Sequence, residues 1–233
     1  MKRLLNLFAI VIVVLLVFCF VRSRYAYSPE LEAAISTSTR PEALKQLLKE
    51  SDKPHREALE YLITYMPEAD RDTMSLSLLK ENVEYALIAH DRYPWAQALP
   101  QEVFYSDVLP YYVVDEVRDS WRRDLYELFA PVVDTCTTLY DALCAVNRSI
   151  PKVTGVDYNT RREKTNQSPR ESMRQGMASC TGLSILLIDA YRSVGIPARF
   201  ISYETAEAIV DTFMTEPFDG GRHAVRVSKI AVK

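Results

Sequence analysis

Glycine is scarce in this sequence, with six residues among 233. A large all-β fold needs many turn glycines, so this composition favours helices. An excess of basic residues is also missing, because 28 Lys and Arg face 31 Asp and Glu and give a net charge of −3. Nucleic-acid binders carry a basic face, so we expect no nucleic-acid partner. The hydrophobic fraction of 48% and charged fraction of 25% are typical of a globular protein.

Cysteine is also sparse, and its arrangement excludes a class of sites. Cys19 lies in an N-terminal apolar run, which leaves Cys136, Cys144 and Cys180 for the rest of the chain. Three is an odd number, so at least one thiol stays free or pairs between chains. No CxxC pair or His/Cys cluster is present, which argues against a structural zinc site. Phosphate loops, dinucleotide glycine patterns and calcium loops are missing too, so we expect no cofactor and no metal.

The N-terminus, residues 1–24, predicts a membrane-directed leader. A basic start is followed by an apolar run from Leu4 to Val21, interrupted by Asn6 and bounded by Arg22. Such a run is either an uncleaved anchor or a signal peptide, and Cys19 leaves a lipoprotein as a third alternative. In each case the remainder of the chain is exported or tethered facing outward. We therefore expect a cell-envelope protein that contacts the membrane through this segment.

Residues 28–146 predict a helical N-terminal region. Serine, proline and acid at Ser28-Pro29-Glu30 are typical of a helix start. Apolar residues then recur at helical spacing through residue 91, whereas 93–110 looks rich in turns because it contains three prolines. Residues 114–145 again predict helix, with a break near Pro131. A polar loop over 147–169 is long for an inert connection and hints at a nearby site, with a short strand near 156–158.

One segment carries a pattern suited to covalent chemistry. A polar loop ends at Ser179, and an amphipathic helix begins near Cys180 and ends at Gly195. Residues 198–203 then alternate as a strand would. Because Cys180 lies at a helix N-terminus, unpaired N–H groups and the helix dipole favour its thiolate and can stabilise an oxyanion. A cysteine at a helix start is more often only a small residue, so the surrounding pattern has to decide.

That surrounding pattern resembles the transglutaminase-like superfamily. The residues concerned are Gly176-Met-Ala-Ser-Cys180-Thr-Gly-Leu, followed by Ala190-Tyr-Arg-Ser-Val-Gly-Ile-Pro-Ala-Arg199. Leu109-Pro-Tyr-Tyr-Val-Val-Asp-Glu116 and Trp121-Arg122 also resemble the region before this domain in exported bacterial members. The resemblance implies an α+β, papain-like core over 147–233, with the cysteine helix packed on an antiparallel sheet that bears a histidine and then an aspartate.

His223 is the histidine that the resemblance assigns. It lies 43 residues after Cys180 and is followed by a small residue, but Val225 stands where the family has tryptophan. The other two histidines, His55 and His90, lie among the predicted N-terminal helices and look solvated or capping. No aspartate follows His223, so we expect a truncated or diverged C-terminal end and the loss of a sheet strand.

Three hypotheses remain open from the sequence. The first is an enzyme that attacks an amide or peptide carbonyl of a peptide or protein substrate through a thioester at Cys180, with His223 as the base. The second is a non-catalytic binding or scaffold module on the same fold. The third is an incomplete gene product. The resemblance does not separate hydrolysis from transamidation, because water or an amine can accept the acyl group.

Overall fold

The computed structural model describes residues 27–201 and 205–206. The predicted leader and His223 lie outside these residues. The chain up to Ala198 forms one compact unit, and the chain from Arg199 belongs to a second. In the second unit, Phe200 and Ile201 are exposed. The first unit contains α1 (Pro29–Thr37), α2 (Pro41–Glu50), α3 (Lys53–Tyr65), α4 (Glu68–Thr73), α5 (Leu76–Arg92), α6 (Pro94–Gln97), α7 (Gln101–Val103), a π-helix (Phe104–Val108), α8 (Arg122–Val133), α9 (Leu139–Thr154), β1 (Asp157–Tyr158), α10 (Pro169–Gln175), β2 (Met177–Ala178) and α11 (Cys180–Ser193).

The N-terminal helices begin where their capping residues predict. The Ser28 hydroxyl accepts a hydrogen bond from the Leu31 backbone N–H at 3.2 Å, and Pro29 opens α1. This arrangement satisfies a donor that a helix start leaves without an intrahelical partner. The predicted helical character of this region and the predicted start at Ser28-Pro29 are thereby confirmed.

Two hydrophobic clusters form the core of the first unit. One joins the N-terminal helices to the π-helix, and the other joins α8, α9 and α11. Helix α5 contributes to both, because Val83 and Ala86 pack in the first cluster and Ala89 packs in the second. The N-terminal helices and the cysteine helix are therefore linked through one continuous helix.

Three sequence expectations about where helices lie are wrong. Residues 93–110 hold α6, α7 and the π-helix rather than an irregular stretch, because Pro94 and Pro100 stand at helix starts, where no backbone N–H is needed. Residues 114–121, predicted as helix, contain none in the structure. Helix α9 continues through Pro151 to Thr154, into the predicted loop, and ends before Gly155 at φ +69°. The predicted boundary between residues 146 and 147 lies inside α9, and the division into domains stays a prediction.

The α+β class is confirmed, with far more helix than sheet, but the predicted antiparallel sheet is wrong. Strands β1 and β2 pair in parallel, with Asp157 opposite Met177 and Tyr158 opposite Ala178. A parallel pair requires a crossover, which the loop and α10 between the two strands supply. Helix α11 packs on both strands and on α8. Residues 198–201 are not a strand, contrary to the alternation of the sequence.

Candidate functional site

Cys180 is the first residue of α11, and its side chain is exposed. The helix start predicted near this residue is confirmed. Strand β2 ends two residues earlier, so the thiol lies at a strand-to-helix junction. The N–H groups of the first turn have no partner within the helix, and the positive end of the helix dipole lies beside the sulfur.

Ser179 connects this junction to the preceding loop. Its hydroxyl accepts a hydrogen bond from the Gly182 backbone N–H at 2.9 Å and donates one to the Thr165 carbonyl at 2.6 Å. Gly182 allows the close approach, because a Cβ there would lie 3.1 Å from the Ala178 Cβ. The first turn of α11 is thus held against both β2 and the loop.

The loop between β1 and α10 is fastened at both ends. The Asn159 N–H donates to the Ala178 carbonyl at 2.9 Å, and the Gln167 side-chain amide donates to the Met177 carbonyl at 3.3 Å. Ser168 begins α10 with a capping box formed with Glu171, and its hydroxyl also donates to Asp119. These bonds hold the polar surroundings of Cys180 in one arrangement.

A family model described as the transglutaminase-like superfamily matches residues 127–226. The match confirms the resemblance to this superfamily that the sequence around Cys180 indicates. The transglutaminase-like segment begins within α8, covers slightly less than half of the 233 residues, and includes both Cys180 and His223. No protein with a curated description and no solved structure matches the chain.

The second predicted site residue of the transglutaminase-like segment, His223, lies outside the described residues, as do Asp211 and Asp219. The two N-terminal histidines have partners of their own. The His55 ring lies 2.6 Å from Asp52 and 3.1 Å from Glu84, and the His90 ring lies 3.1 Å from Asp91. Neither position brings an imidazole to Cys180 in the part of the chain that the structure describes.

Cys136 and Cys144, the other two thiols within the described residues, are half-buried and free. Burial raises the pKa of the Cys136 thiol, and Asp141 raises it further. Among residues 27–201 and 205–206, no group of three or more His, Cys, Asp or Glu side chains is arranged to hold a metal ion.

Sequence reasoning missed a buried charged group on the cysteine helix of the transglutaminase-like segment. Asp189 is 0% exposed and forms an ion pair with Arg192 at 3.7 Å, while Arg122 of α8 lies behind them, also buried. Burial raises the pKa of Asp189 well above its usual value, and Glu116 reinforces this, whereas the two arginines oppose it. The signal in the sequence was two charged residues, 189 and 192, among the apolar positions of an amphipathic helix.

The arginine behind this helix keeps its charge at neutral pH. Burial and the nearby Arg192 charge lower the pKa of Arg122 to about 9, and Asp189 opposes this shift.

The described helices include none that combines the length and hydropathy required to cross a membrane.

Proposed function

We propose that this protein is a cysteine-dependent acyl-transfer enzyme or peptidase that forms a thioester on Cys180. The observation that carries the proposal is an exposed thiol at the first position of a buried helix, within a segment of the transglutaminase-like superfamily. Such a thiol is accessible to substrate and lies at the N-terminal end of a helix, beside its backbone N–H groups. His223, inside the same matched segment, is the proposed base.

The proposed reaction has two steps. The Cys180 thiolate attacks the carbonyl carbon of an amide, the C–N bond breaks, and the departing amine takes a proton from the His223 imidazolium. The thioester then reacts with water to give an acid or with another amine to give a new amide, and His223 removes a proton from the attacking group. First-turn N–H groups near the sulfur are suited to stabilising the oxyanion formed in both steps.

The proposed setting is the cell envelope. The basic start and the apolar run from Leu4 to Val21 support a leader that directs the chain to, or anchors it in, a membrane. The proposed substrate is a peptide or protein, and no cofactor is required for thioester chemistry. The acidic balance of the chain supports a substrate other than nucleic acid.

The second candidate is a catalytically impaired binding or scaffold module with the same fold. Val225 supports it, because this position carries tryptophan in the family pattern. Such a module shares the fold and the helix start at Cys180, and differs from the enzyme in forming no thioester.

An acylation assay separates the two candidates without knowledge of the substrate. With p-nitrophenyl acetate, we expect the full-length protein to release about one equivalent of p-nitrophenolate in a burst and to carry an acetyl group on Cys180. Cys180→Ser should abolish the burst, and His223→Gln should slow it by about 10²-fold or more. Cys144→Ser is the matched control, because that thiol is half-buried and should leave the burst unchanged.

The products distinguish the fates of the thioester. Mass spectrometry with and without added cadaverine shows whether water or the amine accepts the acetyl group. An intact, folded protein with no acetyl-Cys180 and the same background hydrolysis as Cys180→Ser would favour the non-catalytic module.

A further inference from the structure

A stretch of backbone in the N-terminal region has every carbonyl bound by a donor from elsewhere in the fold. This stretch, residues 107–112, is called the carbonyl segment below. It joins the C-terminal end of the π-helix to the irregular chain before α8. Arg192 donates from Nε to the Asp107 carbonyl and from Nη1 to the Tyr112 carbonyl. Arg122 Nη2 donates to the carbonyls of Val108, Leu109 and Pro110. Asn82 Nδ2 also donates to the Leu109 carbonyl, and Trp121 Nε1 donates to the Tyr111 carbonyl.

Two arginines supply most of these donors, and they are called the arginine clamp. Arg192 belongs to the cysteine helix and reaches the Asp107 carbonyl at 3.2 Å and the Tyr112 carbonyl at 2.7 Å. Arg122 belongs to α8 and also donates to the Arg192 carbonyl at 3.0 Å. Both side chains are almost completely buried.

The clamp lies where two helices end. The last carbonyls of the π-helix and of α11 form the negative ends of the helix dipoles, and the Arg192 carbonyl also accepts a hydrogen bond from the Gly195 N–H at 3.2 Å. Arg122 binds carbonyls from both ends, Val108 at 2.8 Å and Arg192 at 3.0 Å. The buried Arg122 guanidinium therefore contributes hydrogen bonds to both helix ends at once.

We propose that the arginine clamp positions the helix that carries Cys180, by fixing its C-terminal end to the carbonyl segment. This inference rests on the proposed function only in its consequence for reactivity. Twelve residues separate Arg192 from Cys180, or ~18 Å of helix, so a tilt of about 3° at the clamp moves the thiol by about 1 Å. A displacement of that size at a catalytic group can cost about 10²-fold in rate.

Arginine is needed at residue 192 because of its geometry. The planar fork sends Nε to the carbonyls of Asp107 and Ala198 and Nη1 to the carbonyl of Tyr112. A lysine ammonium keeps the charge, but all its N–H donors lie on one nitrogen at the end of a flexible side chain. Arg192→Lys therefore preserves the buried charge but loses the simultaneous hydrogen bonds to these three carbonyls.

The test compares Arg192→Lys with Arg148→Lys, the same change at an exposed arginine of α9. The first measurement is the rate at which iodoacetamide alkylates Cys180 in the folded full-length chain at pH 7, located by mass spectrometry. We expect Arg192→Lys to slow this rate by about tenfold or more, and Arg148→Lys to leave it unchanged.

The second measurement is hydrogen exchange over residues 177–186, which include β2 and the half of α11 that lies far from the clamp. We expect faster exchange there in Arg192→Lys and unchanged exchange in Arg148→Lys. Exchange does not depend on thiol chemistry, so it tests the clamp even if wild-type Cys180 fails the acylation assay. That failure would refute the enzyme while leaving the clamp intact.

The outcome that overturns the proposal is a variant that melts earlier yet keeps wild-type alkylation and exchange at residues 177–186. The arginine would then stabilise the fold without positioning the thiol. Should Arg192→Lys fail to fold, Asn82→Ala provides a milder change, because it removes one donor to Leu109 and the 2.7 Å acceptor of Arg122 Nε. It should also slow alkylation and speed exchange at residues 177–186, and wild-type values there would overturn the proposal.

Discussion

Two ionisable residues of α11 lie in opposite environments. Cys180 is exposed in the first turn, whereas Asp189 is buried in the last part of the helix beside Arg192. Neither oxygen of Asp189 accepts a hydrogen bond from the residues that the structure describes. Burial without hydrogen bonds disfavours the ionised form of a carboxyl group, so the group retains its proton to higher pH.

The raised pKa of Asp189 gives a pH dependence with a definite sign. The folded protein holds this proton more tightly than the unfolded chain, in which an Asp titrates near ~3.9. The resulting stabilisation is complete below about pH 3.9 and is lost as pH rises through the folded-state pKa. We therefore expect Asp189→Asn to be at least as stable as wild type at pH 8, with the gain shrinking towards pH 4.

Urea denaturation of both proteins between pH 4 and pH 8 measures this difference. Asp157→Asn, at an exposed position of β1, is the control and should track wild type throughout. If Asp189→Asn instead loses about 3 kcal/mol or more at pH 8, Asp189 is ionised and needed as the partner of Arg192.

At the residue scale, the sequence was sufficient to locate Cys180 but not the arginine clamp. A helix start has a local pattern of loop, capping serine and apolar spacing, which can be read directly from Ser179 onward. The clamp depends on donors and acceptors up to 85 residues apart. The position of Arg192 among apolar residues of its helix indicates burial, but no local pattern shows which carbonyls it binds.

At the element scale, glycines with positive φ follow three consecutive helices. Gly155 follows α9, Gly176 follows α10, and Gly195 follows the end of α11. Two of them differ in surroundings. A Cβ at Gly195 would lie 2.7 Å from the Ala96 Cβ, whereas a Cβ at Gly155 would meet nothing within 4 Å.

Alanine at these two glycines separates backbone strain from crowding. Gly155→Ala should cost about 1 kcal/mol of unfolding free energy, which is the expense of a left-handed conformation alone. Gly195→Ala should cost about 2–4 kcal/mol, because a steric overlap with Ala96 adds to that strain. Urea titration of both variants measures the difference, and equal losses would show that α6 moves aside at no cost.

Capping residues were the part of the elements that could be predicted best. Ser28 and Ser179 mark helix starts in both sequence and structure. The break predicted near Pro131 follows at residue 134, but Pro151 misled, because α9 continues for three residues past its ring. The antiparallel sheet was wrong because strand direction depends on the crossover through α10, not on the local pattern of either strand.

At the scale of the whole molecule, α5 makes the N-terminal helices and the cysteine helix interdependent. Its Val83 and Ala89 belong to different hydrophobic clusters, and the arginine clamp crosses between the same regions. We therefore expect residues 27–198 to unfold in one cooperative transition, with a calorimetric enthalpy equal to the van't Hoff enthalpy.

Differential scanning calorimetry on the full chain, solubilised in mild detergent because of its apolar N-terminus, measures both enthalpies. Ala86→Gly, in the middle of α5, should lower the midpoint temperature of unfolding while the protein still unfolds in a single transition. Two resolved transitions in the wild-type protein would instead mean that the two clusters unfold independently.

The full hydrogen bonding of the carbonyl segment also has a consequence for solubility. Residues 111–114 read Tyr-Tyr-Val-Val, which is the composition that amyloid-forming stretches favour. A foreign strand attaches by capturing free backbone groups, and at Tyr111 and Tyr112 the carbonyls are already occupied by Trp121 and Arg192. Substitution of either donor therefore leaves a backbone carbonyl in this β-prone stretch without its hydrogen bond. We expect such a variant to precipitate more readily than wild type.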